Sequence, residues 1–100
     1  MEKLKAHYSL QAIRVIVARD GSQSFTFAAQ RGAENMGLSR AEALAVVLAL
    51  TSAMLYKSMT TNSDNKVWQD VYHAPCPNGR IAYIKLTMRD DVVVIQFKEK

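Results

Sequence analysis

YKSMTTNSDNKVWQDVY, residues 56–72, marks the point where the chain changes character. Before it, apolar residues recur at helical spacing. From it onward Val, Ile, Thr, Tyr and Trp take over, and Asn62-Ser63-Asp64-Asn65 reads as a turn between two strands. The stretch from Pro75 to Gly79 and the triplet Arg89-Asp90-Asp91 supply two further turns, so strands are expected near 57–61, 67–72, 81–88 and 92–98. Helices followed by strands predict an α+β domain, with the N-terminal helices packed on one face of a mostly antiparallel sheet.

Upstream of this boundary the helix signals are specific. Ser9 is placed to cap a helix carrying Leu10, Ile13, Ile16 and Val17 on one stripe, with Gly21 where a C-terminal glycine stops it. Residues 22–26 read as a turn or short edge strand, and residues 28–36 as a short helix closed by Gly37 and weakened internally by Gly32. Ser39-Arg40-Ala41-Glu42 is a capping box, in which the Ser hydroxyl and the Glu carboxylate each accept from the other's orphan backbone N–H. The run that follows, ALAVVLAL, is apolar on nearly every side and predicts a central core helix.

Composition narrows the function classes. One hundred residues, 49% of them hydrophobic, make a single domain over 1–100. The net charge of +4 favours a polyanionic partner such as RNA, DNA or an acidic protein. Residues 1–56 hold six basic and four acidic side chains and residues 57–100 seven and five, so no basic arm stands out. A lone Cys76 forms no internal disulfide and fits a reducing cytoplasm. Cys76 and His73 are two potential ligands where zinc takes three or four, so no metal site and no cofactor are expected. MEKLKAHYSLQ lacks the apolar segment of a signal peptide, and the longest apolar run, residues 43–50, is too short to span a bilayer. A cytoplasmic protein without membrane contact is the expectation.

Period-two alternation assigns the strand side chains to faces. In 81–88, Ala82, Ile84, Leu86 and Met88 should meet the helices, which leaves Ile81, Tyr83, Lys85 and Thr87 on the other face. In 92–98, Val93, Ile95 and Phe97 oppose Val92, Val94, Gln96 and Lys98; in 67–72, Gln69 shares a side with Val67 and Val71, against Trp68, Asp70 and Tyr72. Cutting RNA without a metal needs a proton-transfer group, cations for the phosphorane's charge, and donors that hold the phosphate in line. Tyr83 ringed by Lys57, Lys85 and Lys98 would supply these, provided a Tyr or Lys pKa is lowered by neighbouring positive charge. Tyr56, Tyr72 and Tyr83 are rings on which an unpaired base would stack, and Lys85 adds charge for RNA binding.

Blander readings compete residue by residue. Exposed strand lysines at 57, 85 and 98 also suppress sheet-to-sheet aggregation. Trp68 and Tyr72 read as core, Asp70 as a turn-facing or ion-paired carboxylate, Met36, Met54, Met59 and Met88 as core packing, and Cys76 as a loop thiol. His7 lies in what reads as a frayed, inert N-terminus. His73 rivals Tyr83 for acid–base work because its ordinary pKa already suits the task, and it ranks below Tyr83.

YKSMTT, WQDVY, YIKLT and FKEK, in this order at the end of so short a chain, resemble the motility quorum-sensing regulator family of bacterial ribonuclease toxins. The likeness starts at the N-terminal MEK, is thin through the helices and dense from residue 56. It implies a fold like that of the RelE-type toxins and metal-independent cleavage of mRNA, with GCU the preferred motif. The family's active-site residues fall on Lys57, Gln69, Tyr83 and Lys98, with Tyr83 as proton-transfer group, Lys57 and Lys98 as charge stabilisers and Gln69 as a donor to phosphate or base edge. It also implies a cognate antitoxin with a zinc-binding domain and a helix-turn-helix domain, the zinc belonging to that partner. The rival is a non-catalytic module that holds RNA or protein on the same basic strand face. A DNA-binding regulator is disfavoured, because no segment reads as a recognition helix and the helix from Ala41 is too apolar for one.

Overall fold

In the computed structural model, which describes residues 1–61, 67–89 and 92–100, a five-stranded antiparallel sheet carries three helices. The elements are β1 (Glu2–Lys3), α1 (Leu10–Asp20), α2 (Phe27–Asn35), α3 (Arg40–Leu48), β2 (Leu55–Thr60), β3 (Trp68–Pro75), β4 (Ile81–Arg89) and β5 (Val92–Glu99). The strands stand in chain order across the sheet, every neighbouring pair antiparallel. This is the α+β architecture expected from the composition change at residue 56. The turn expected at Asn62-Ser63-Asp64-Asn65, and the Asp90-Asp91 part of that at Arg89-Asp90-Asp91, lie outside the described residues.

The starts of α1 and α3 are made by the residues that signalled them, and α2 starts on Thr26, expected in a turn or short edge strand. Ser9 Oγ accepts the Ala12 N–H at 3.3 Å, Thr26 Oγ1 accepts the Ala29 N–H at 3.1 Å, and the Ser39/Glu42 capping box closes with bonds of 3.1 and 2.8 Å. Helix order in space differs from expectation. The helix that lies directly on the sheet is α2, against β5, whereas α3 packs on α1 and α2. Only Ala43, Val46 and Val47 of α3 are buried. Its alanines made it look apolar all round, but an exposed methyl is tolerated cheaply, so apolar count overstated burial.

Alternation holds in β4, where Ala82, Ile84 and Leu86 are fully buried under the helices. It breaks in β5. Lys85 pairs with Gln96 but Leu86 pairs with Val94, so a bulge inserts one residue and puts Val94, expected outward, into the core. The same bulge leaves Gln96 and Lys98 on the open face. Cys76 lies in the loop after β3, as expected, and is buried there among core residues.

The N-terminal segment is anchored rather than frayed. Asp70, fully buried, accepts the backbone N–H groups of His7 and Tyr8 at 2.9–3.1 Å and the Ser58 hydroxyl at 2.5 Å. A buried carboxylate is stable when donors surround it in this way, and here they tie residues 7 and 8 to β2 and β3. The His7 ring stacks on Trp68 at 5.1 Å, and Tyr8 and Thr87 both donate to the Trp68 carbonyl. Thr87, expected on the open face, is therefore covered.

Tyr72 pairs with Ile84, which pairs with Phe97, and all three are buried on the helix side. Its ring offers no surface to RNA, which corrects the base-stacking assignment in favour of the core one. The Tyr72 hydroxyl has no hydrogen-bond partner among the described residues, and burial followed by the Asp70 charge pushes its pKa up to about 12. An unfolded tyrosine ionises near pH 10, so between these values the unfolded chain releases a proton that the folded chain keeps. Stability present below about pH 10 is thus lost as the pH rises towards 12. Tyr72→Phe is expected to remove that loss and to stabilise the fold at pH 7 by about 1 kcal/mol, since an unpartnered buried hydroxyl disappears. Urea unfolding of both proteins at pH 7 and pH 11 checks this; a less stable Phe variant at pH 7 would contradict it.

Candidate active site

Strand register assembles the open face of the sheet from residues far apart in sequence. His73 pairs with Tyr83 and Tyr83 with Lys98, so these three form one row across β3, β4 and β5. In the next row Lys57 pairs with Val71, Val71 with Lys85, and Lys85 with Gln96. A register shift between Leu55 and Lys57 lets Tyr56 reach the first row, where its ring stacks on His73 at 4.4 Å and 19°. His73 and Tyr83 follow at 5.9 Å and 41°.

Tyr83 is flanked by two ammonium groups, Lys98 Nζ at 5.1 Å and Lys85 Nζ at 6.0 Å from its ring centre. Tyr83 and Lys98 thus share one face, the arrangement on which the sequence assignment depended. Lys57 Nζ lies 5.4 Å from the Tyr56 ring and donates to the Glu2 carboxylate at 2.5 Å. That bond raises the Lys57 pKa and holds Glu2 below its ordinary value. Lys85 behaves oppositely: burial, then the charges of Lys98 and Lys57, pull its pKa down. Lys98 and Lys57 are therefore close enough to disfavour the Lys85 cation, the clustering of like charge that attracts a phosphate. Burial and the Lys100 charge lower the His73 pKa, which keeps its imidazole neutral at neutral pH.

Gln69 stands apart. It pairs with Met59 and is half-buried, four residues along β3 from His73 and so about 13 Å from the Tyr83 row. The structure brings Lys57, Lys85, Lys98, Tyr83 and half-exposed Tyr56 together and leaves Gln69 two rows away. Two participants had no signal in the sequence: Glu2, whose partner is 55 residues distant, and the stacking of His73 between two tyrosines. An open cleft lined by Glu2, Lys3, Leu4, Tyr56 and Lys57 borders the site. Among the described residues no group of three or more His, Cys, Asp or Glu side chains is placed to hold a metal ion, and no helix is long and apolar enough to cross a membrane.

Residues 5–99 of the chain that folds into this helix-backed sheet match the family model described as motility quorum-sensing regulator, toxin of MqsA. The chain belongs to this family of toxins. It is similar along its whole length to the mRNA interferase toxin MqsR of Escherichia coli (strain K12), with 37% identity over 100 residues that cover all of both chains.

Proposed function

We propose that this chain is the toxin of a toxin–antitoxin pair and acts as a metal-independent endoribonuclease, cutting mRNA at GCU-type motifs to arrest translation and growth. The observation that carries the reading is the row Tyr83–Lys98 with Lys85 beside it on one open face. In such a reaction the 2′-oxygen attacks the adjacent phosphorus and its proton is taken up. The bond to the 5′-oxygen then breaks, that oxygen is protonated, and a 2′,3′-cyclic phosphate and a 5′-hydroxyl end remain. Tyr83 is the proton-transfer group, and Lys98 and Lys57 stabilise the charge that grows on the phosphorane. Lys85 and Tyr56 hold the RNA, while Gln69 donates to a flanking phosphate or base edge. For Lys57 to reach a phosphate, the RNA must displace Glu2.

The partner is a cognate antitoxin in the same cytoplasm, with a zinc-binding domain and a helix-turn-helix domain. A toxin of net charge +4 is steered towards an acidic surface on it, chiefly through the association rate.

The test is incubation of the purified protein, in EDTA and without ribosomes, with an end-labelled mRNA that contains several GCU sites. Cuts clustered at GCU that leave 5′-hydroxyl ends are expected, and Lys98→Ala should slow them by about 100-fold. RNA that is bound but stays intact would replace this reading with that of a binding module. Efficient cutting elsewhere would overturn the GCU preference alone.

A further inference from the structure

His73 has no part in the mechanism above, yet it occupies the centre of the site. Its ring is fixed between Tyr56 at 4.4 Å and Tyr83 at 5.9 Å, half-buried, one strand from Tyr83 and two from Lys98. Among the described residues neither ring nitrogen has a hydrogen-bond partner, whereas nearby Lys57 is bonded to Glu2. From this geometry we infer that His73 is a specificity-determining residue, its imidazole hydrogen-bonding the edge of an unstacked nucleobase next to the scissile phosphate. The inference rests on the nuclease reading and extends it to base recognition.

Three arguments separate a base from the alternatives. A neutral imidazole carries one N–H donor and one lone pair, and base edges present the same mixture of donors and acceptors. A phosphate, which only accepts, would leave the imidazole lone pair unused, and burial together with the Lys100 charge disfavours the imidazolium that could give it two donors. Rigidity is the third argument. The stack on Tyr56 costs His73 its freedom before the RNA arrives, so little ordering remains to oppose binding. Single-stranded RNA is read in this way, with bases splayed out against aromatic side chains and bonded along their edges. The exposed Tyr56 ring flanks the same position and supplies a stacking surface.

The experiment compares cleavage of a panel of short single-stranded RNAs, each motif position varied through all four bases, by wild type, His73→Phe, His73→Gln and His73→Ala. Phe keeps the stack and removes both polar atoms. At one position the preference ratio, measured as relative kcat/KM, is expected to fall roughly 5- to 150-fold in the Phe variant. Gln, which again offers a donor and an acceptor, should restore part of it, and kcat on the best substrate should stay within about threefold. Unchanged ratios in His73→Phe would overturn the inference. So would a uniform fall in kcat with loss of one limb of the pH profile, which would make His73 an acid–base group. If wild type cuts no RNA, the nuclease reading fails on its own; binding of the same panel, followed by fluorescence anisotropy, then tests base preference at His73 separately, and equal preference in wild type and His73→Phe would sink it.

Discussion

Tyr83→Phe is expected to slow RNA cleavage by about 10²–10⁴-fold while leaving RNA affinity within a few-fold of wild type. That range is what a positioned proton-transfer group contributes. The substitution removes one oxygen and keeps the ring, so the contact with Lys98 at 5.1 Å and the packing on His73 at 5.9 Å survive. Tyr83 lies half-buried on the open face, away from the core under the helices, so stability should change by no more than about 0.5 kcal/mol. Single-turnover cleavage and anisotropy on the same RNA separate the two effects. A variant that cuts at near wild-type rate would move the proton-transfer role elsewhere, and Lys85 would be the first candidate because its cationic form is already disfavoured.

Gly32→Ala is the substitution expected to damage the fold most. A methyl at this position would stand 1.7 Å from the Phe97 carbonyl oxygen, an approach that no side-chain rotation relieves because the α2 backbone fixes the methyl and the oxygen belongs to the β5 backbone. Either α2 lifts off β5 or β5 shifts, and β5 carries Lys98. The cost should reach or exceed the upper end of the roughly 1–3 kcal/mol typical of overpacking. For a domain of this size that corresponds to a fall in Tm of about 12 °C or more. The sign is informative because alanine is the better helix former by about 1 kcal/mol, so local propensity alone predicts a gain. Thermal and urea unfolding measure the outcome. A variant as stable as wild type would mean that α2 does not rest on β5.

Gly32 also illustrates what could be read from the chain alone. As a sequence it is a flaw in a helix; as a structure it is the contact that seats the helix on the sheet. The same division runs through the site. Alternation in residues 81–88 placed Tyr83 and Lys85 together on the open face, and the pattern in residues 92–98 put Gln96 and Lys98 on one side of β5. Both hold because a strand's two-residue period is local. The Val94 assignment failed because a bulge depends on how two strands meet, which neither encodes by itself.

Asp70 and Tyr72 show the limit from the other direction. WQDVY alternates in a way that puts Trp68, Asp70 and Tyr72 on one side, but a carboxylate among them looked more at home in a turn or an ion pair. Its actual donors, the N–H groups of His7 and Tyr8 and the Ser58 hydroxyl, come from 63, 62 and 12 residues away.

The amino-acid sequence by itself determined the α+β class, the starts of α1 and α3 through their capping side chains, and the pairing of Tyr83 with Lys85 and of Gln96 with Lys98 on one face of their strands. Each of these follows from short-range chemistry: a hydroxyl reaching three residues ahead, or a period of two along a strand. Tertiary structure alone decided that α2 rather than α3 lies on the sheet, that Glu2 clamps Lys57, that Gln69 stands two rows from Tyr83, and that His73 is held between two tyrosines. Those facts depend on strand register and on backbone approach, set by packing among residues dozens of positions apart.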